Sequence, residues 1–264
     1  MLMAVKNQLR VCFLSIKYAL VREMLNKTTF ITNIIFMILN NLCFIVQWVI
    51  LFSLKDNVGG YSFKQVLLLW GFAATTFGIS HFFFKDAYNL SDIINKGKLD
   101  AYLIQPKNVL LTAITSSIDV SAIGDIIYGF IMLFLYGISF KSLFLFVLFS
   151  VTGALILTSI SVIFSSLSFW FSRVEILPTT MNNLMTNFAT YPDGIFKGTV
   201  KILLFSLIPV GFVNFIPVHV MSGFNMWLML GVVFVSLFLV ALAFIIFNKG
   251  LKKYSSSSLM SARI

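Results

Sequence analysis

Charge is what this chain has least of. Only 11% of its 264 residues are Asp, Glu, Lys or Arg, and the acidic ones number nine, where a soluble domain carries roughly a quarter charged residues. Cysteine is scarce too. Cys12 lies in a basic N-terminal segment and Cys43 deep in an apolar run, so no disulfide between them is expected. No GxxxxGK[ST] phosphate loop is present, which excludes ATP binding of that kind, and no HExxH, CxxC or GxSxG appears. His81 has no second His or carboxylate at ligand spacing and reads as an interfacial polar residue rather than a metal ligand. A membrane enzyme would need convergent His, Asp or Glu within the apolar parts, and none is evident. No cleaved signal peptide is expected either, because 28 residues with five basic ones precede the first apolar run.

What fills the chain is apolar. Hydrophobic residues make up 59%, thirty of them Phe, and mean hydropathy is +0.98. Several runs are long enough to cross about 30 Å of hydrocarbon as helices, and none shows the ten-residue alternation of a barrel. The expected class is an all-α, multi-pass membrane protein. The net charge of +10 does not point to nucleic acid, because the basic residues sit at helix ends, where membrane topology explains them.

Residues 1–28 are amphipathic. Val5, Leu9, Cys12, Phe13, Ile16, Ala19, Leu20 and Met24 recur at three and four, while Lys6, Arg10, Lys17 and Arg22 keep largely to the other side. Such a basic helix lies on the cytoplasmic membrane surface, with lipid as its partner. Spans are expected at about 30–54, 63–84, 118–140, 142–171 and 226–247 within a membrane region of 29–247, followed by a cytoplasmic tail over 248–264. In the third span Asp119 lies near the inner interface and Asp125 about 10 Å deeper by helical rise. A carboxylate at that depth must face protein or water. It serves substrate passage or proton binding, or it packs against a neighbouring helix's Ser or Thr. Thr158, Ser161, Ser165 and Ser168 form one face suited to close helix contact.

From 173 to 191 the chain mixes Thr179, Thr180, Asn182, Asn183, Thr186 and Asn187 with apolar residues, a pattern that crosses a bilayer only beside a cavity or a subunit interface. A turn at Tyr191-Pro192-Asp193-Gly194 leads into 195–217, interrupted by Pro209 and Pro217, which permits a broken, re-entrant hairpin. Fourteen of the 19 Lys and Arg then fall on the side of both termini, making that side cytoplasmic with six crossings. If 198–217 crossed fully and 173–191 were a cytoplasmic loop, the count would rise to sixteen, so charge alone slightly favours the second arrangement.

The polar stretch 85–108 holds more structure than a simple crossing back requires. Ser91-Asp92 is a helix start and Gly97 a stop, predicting a short helix near 92–96. A second turn runs from Asp100 to Ile104 and is closed by Pro106. Spacing leaves two readings open, a handle gripped by a soluble partner that supplies energy and an ordinary basic loop.

These features together resemble the ABC-2 type of ABC exporter permease. The resemblance is carried by the GKLDAYLIQP phrase at 97–106, Tyr191-Pro192 with Ile195-Phe196, Ile208-Pro209-Val210, Asn214-Phe215-Ile216-Pro217 and the Gly250–Ser257 tail, and it covers essentially the whole chain. It implies a transport subunit, not an enzyme, that binds no cofactor itself. Two separate ATPase subunits would hold ATP and Mg, and a second permease, identical or related, would complete the pathway in the plasma membrane. The coupling helix of that family falls on Ser91, Asp92, Ile93, Asn95 and Lys96, with Gly97, Leu99, Asp100 and Tyr102 following. The resemblance also makes 174–191 the fifth span and 195–217 a re-entrant hairpin bounded by Tyr191, Pro192, Pro209 and Pro217. Asn182, Asn183 and Asn187, with Asp119 and Asp125, become candidates to line the route; hydrogen bonding across the permease–permease interface is the competing role for the asparagines. A stand-alone secondary carrier predicts inverted repeats, which the sequence lacks. A lipid-modifying enzyme predicts essential carboxylates at Asp119 or Asp125. A Phe-rich interior suits amphiphiles, lipids, peptides or drugs.

Overall fold

The computed structural model describes residues 2–171, 174 and 176–255, and every regular element among them is helical. Four helices are long and apolar enough to cross a membrane: α2 (Lys27–Leu54), α3 (Phe63–Tyr88) running on into the short α4 (Leu90–Asn95), α8 (Phe140–Ser166), and α12 (Met226–Leu251). Helix α7 (Ser121–Tyr136) is apolar but shorter, and α9 (Ile176–Ala189) is the polar one. Side chains fix several starts. Asn26 accepts from the Thr29 amide, Ser139 exchanges bonds with Ser142, and Asn225 accepts from the amides of Trp227 and Leu228.

Helix α3 is the axis of the bundle. Its residues from Val66 to Thr76 are all buried, packed between α7 and α8, with the Phe72 ring stacked 4.8 Å from that of Phe146. Helix α7 wedges between α2 and α3 because glycine lets it. A Cβ on Gly124 would lie 2.6 Å from the Ile34 carbonyl of α2, and one on Gly129 would lie 1.8 Å from Thr75 Oγ1 of α3. Small residues permit this approach where no water-driven force holds helices together. By contrast α2 and α12 turn Phe36, Val46, Ile50, Phe234, Leu237 and Phe238 outward, an apolar surface suited to lipid.

Contacts sort the connections into two ends. At one end meet α1 (Leu2–Met24), the 85–116 region and the tail: Gln8 bonds the Asn108 amide and the Thr112 hydroxyl, and Tyr254 Oη donates to Asp100 Oδ1 at 2.9 Å. At the other end Tyr61 meets His219, Gln65 bonds Ser222, and Lys201 pairs with Asp193. Both termini of the segment 193–222 are therefore tied to the same end. Between them lie α10 (Gly198–Leu203), a π turn at Gly211–Phe215 and α11 (Ile216–Ser222). Asn214 bolts that turn inward, its amide donating to the carbonyls of Leu69 and Ala189.

Several expectations need correcting. The third apolar helix spans Ser121–Tyr136 rather than 118–140: just before it Asp119 Oδ1 accepts from the Ser121 amide, and just after it Gly137 adopts φ 130°. Helix α3 continues past 84, with a break at Phe84 (φ −134°, ψ 36°). The short helix starts at Leu90 after Asn89, so Ser91 is not its cap; it is buried, its hydroxyl on that of Ser168. The apolar stripe of α1 divides. Ile16, Ala19 and Leu20 pack on Ile118, Val120 and Ile123, while Leu9, Phe13 and Met24 stay exposed. Arg173 and the last nine residues of the tail lie outside the described residues.

Candidate functional site

A cavity of about 540 Å³ opens between α2, α3, the start of α7 and α9. Its wall is mixed. Phe44, Trp48, Trp70, Phe77 and Tyr191 present rings, while Asn40, Asn41, Gln47, Asn182 and Asn187 present amides. His81, Asp119 and Asp125 supply the titratable groups. Helical spacing places Asn40 and Gln47, seven residues apart, on one face of α2. Asn41 Nδ2 donates to Asp125 Oδ1 at 2.6 Å across the Gly124 contact. Asp119 Oδ1 accepts from the amide and hydroxyl of Ser121, and Lys85 Nζ stands 4.0 Å from Asp119 Oδ2 while donating to the Ile118 carbonyl. His81 Nδ1 lies 3.0 Å from the Phe77 carbonyl and its ring stacks on Tyr88; no cluster of metal-ligating side chains occurs among the described residues. Of the route candidates, Asn182, Asn187, Asp119 and Asp125 line this one space, and Asn183 does not. The partner of Asp125 is an amide, not the hydroxyl weighed from sequence.

The second feature is the short-helix element at the basic end. Leu90, Ile93 and Ile94 of α4 are buried together with Leu99, against Val162 of α8 and Phe247 of α12. Gly97 adopts φ 69°, a left-handed conformation natural to glycine, and turns the chain into α5 (Asp100–Leu103). Tyr102 donates to Ser116, which donates to Asp86. Of the coupling residues expected from the sequence, Ser91, Ile93 and Leu99 are thus interior; Asp92, Asn95, Gly97 and Tyr102 are half-buried, and Lys96 and Asp100 are exposed. Lys98, Leu103 and Ile104 complete the outer face, with Ile104 85% exposed. Burial, its bond to Asp100 and that carboxylate's charge push the Tyr254 hydroxyl up to about 12.

At the opposite end Asp193 receives Lys201 Nζ at 2.8 Å and faces His219 Nε2 at 3.3 Å, with Tyr61 Oη 3.4 Å from the same nitrogen. Burial pulls the Asp193 carboxyl up, yet the bonds from His219 and Lys201 outweigh it and hold it well below the usual carboxylate range. Burial, reinforced by that negative charge, raises the Tyr61 hydroxyl. Neither Tyr61 nor His219 carried a signal in the sequence; their pairing joins positions 158 residues apart.

Comparison with curated proteins and with solved structures finds no match. A family model described as ABC-2 family transporter protein does match, over residues 38–258. That span takes in the cavity-lining helices, the short-helix element and the hairpin together, and the chain accordingly belongs to the ABC-2 family of membrane transporter proteins.

Proposed function

We propose that the chain is the permease subunit of an ATP-driven exporter, coupled to separate ATPase subunits through residues 91–104 and forming its pathway with a second permease. The observation that carries this reading is the build of the α4–α5 element. One side is fastened by Leu90, Ile93, Ile94 and Leu99 to the bundle, while Lys96, Lys98, Leu103 and Ile104 project. A loose loop would absorb a push; this element transmits one. The basic end is the cytoplasmic end on the charge rule, which puts both termini and the element where soluble ATPases, with their ATP and Mg, reside.

Six crossings follow if α7 and α9 also span. Helix α9 has 14 residues, a rise of about 21 Å; its Asn182, Thr186 and Asn187 line the cavity, while Thr179, Thr180 and Asn183 face outward on the surface that a second permease would cover. The hairpin 195–217 then enters and leaves from the outer end, the arrangement its ties to Tyr61 and Gln65 favour. Force entering at α4 passes to α8 and α12 as well as α3, since Ser91 meets Ser168 and Phe169 packs edge-on against Phe247 at 5.4 Å.

Affinity purification in mild detergent tests the reading. A soluble ATPase is expected to accompany the chain, and Ile104→Asp is expected to abolish ATP-driven transport while leaving thermal stability unchanged, because the side chain touches little of its own protein. A purified chain that transports with no ATPase attached would establish a secondary carrier instead.

A further inference from the structure

The charges around the cavity do not balance, and the imbalance selects an occupant. Asp125 accepts one bond, from Asn41, and no cationic side chain lies within ion-pair distance of it among the described residues. Asp119 is satisfied by Ser121 and faces Lys85. Two shielded polar atoms on the same walls also lack partners, Asn182 Oδ1 and Trp70 Nε1, the latter on a residue only 8% exposed. A desolvated carboxylate without a cation is costly, and so is each unpaired buried donor or acceptor. A guest carrying a positive charge beside Asp125 removes the largest of these costs. Aromatic faces at Phe44, Trp48 and Trp70 favour the same charge and bury an apolar body. An anion is repelled, and a bare metal ion finds no set of three ligating side chains among the described residues. The volume of about 540 Å³ falls in the range of roughly 300–1,000 Å³ that holds drug-sized molecules.

We infer that the cavity recognises amphipathic organic cations, with the positive centre seated beside Asp125 and the apolar body against Phe44, Trp48 and Trp70. The inference rests on the transporter reading and names its substrate class. The full chain in nanodiscs of phosphatidylcholine is titrated with tetraphenylphosphonium and, separately, with its isosteric anion tetraphenylborate. Tryptophan quenching is the readout, as two of the four tryptophans line the cavity. Saturable quenching by the cation and only linear partitioning by the anion are expected. Asp125→Asn keeps an acceptor for Asn41 and should weaken the cation about tenfold or more, the scale of one lost charge–charge attraction at short range; Asp125→Glu should retain binding. Equal saturable binding of both ions overturns the inference, as does cation binding indifferent to Asp125→Asn, and the contrast between the two ions on the unmodified chain decides even if the variants misfold. Cation binding absent while ATPase-driven transport persists refutes the substrate class alone. Cation binding present with no ATPase partner upholds it and refutes the coupling.

Discussion

Replacing Asp193 by Asn should loosen its clasp on Lys201 and His219 without changing its shape. The carboxylate is 10% exposed, whereas Lys201 and His219 are 44% and 50% exposed, so the interaction lies between two known cases. Exposed pairs are worth about 0.2–1 kcal/mol, while breaking a buried pair costs about 3–5 kcal/mol. Solvent on the cationic side argues for the lower part of that interval, about 1–2 kcal/mol. For a chain of this size the corresponding fall in apparent Tm is roughly 2–8 °C. The pH dependence has a definite sign. Because the folded carboxyl is held below its ordinary value, its contribution is complete above about pH 4, the ordinary range for Asp. It declines as acid protonates the unfolded chain while the folded carboxylate still resists. The gap between native protein and variant should therefore be narrower at pH 3 than at pH 5. Apparent Tm by intrinsic fluorescence in detergent, measured on both proteins across that range, provides the check. A variant as stable as the native protein at pH 7, or a gap wider at pH 3 than at pH 5, would refute the clasp.

Three further outcomes test the packing. Gly129→Ala forces a methyl to within 1.8 Å of Thr75 Oγ1 and should cost about 1–3 kcal/mol by overpacking, with partial recovery in Gly129→Ala/Thr75→Ala, read as apparent Tm. Asn214→Ala removes the amide that donates to the Leu69 and Ala189 carbonyls at a cost of about 1–3 kcal/mol, and hydrogen exchange should quicken first in 198–222. Phe247→Ala empties a fully buried site at about 3–5 kcal/mol, and exchange should rise in α4 and around Phe169 before the α3 core responds.

What the sequence made legible was whatever is written along a single element. Apolar run length marked α2, α3, α8 and α12, and Gly97 with Asp100 and Pro106 marked the break between α4 and α5. Polar residues in apolar surroundings drew attention to Asp119, Asp125, Asn182 and Asn187, which share one cavity. Run length alone marked α2 and passed over Asn40, Asn41 and Gln47; amides at that depth are also costly and were the missing signal. Pairings between distant elements were not legible. Nothing in the sequence near Asp193 announces Tyr61 or His219, and nothing near Ser91 announces Ser168, because periodicity describes the face a helix buries and not what it is buried against. Helix limits shifted where a side chain overrode the apolar pattern, as Asp119 does at the start of α7.

On the coupling reading, the packing also decides which parts of the cavity can move. Thr75 and Gly129 interlock α3 and α7 too closely to slide, and the Ser80–Thr158 bond with the Phe72–Phe146 stack joins α3 to α8. These three helices form one body, and α4 is fastened to it. Helix α2 touches that body chiefly along α7, and α9 chiefly along α8, so the cavity wall is split between a driven part, Trp70, Phe77 and His81, and a flanking part, Asn40, Trp48, Asn182 and Asn187. The break at Phe84 lies between the driven wall and α4, yet the hydroxyl contacts of Ser91 with Ser168 and of Tyr88 with Ser80 bridge it. A push at Ile104 therefore turns the driven body against α2 and α9 instead of bending α3 at its weak point. On the same reading the seam passes through the bond from Asn41 to Asp125, so closure around a guest and movement of the bundle would meet at that bond.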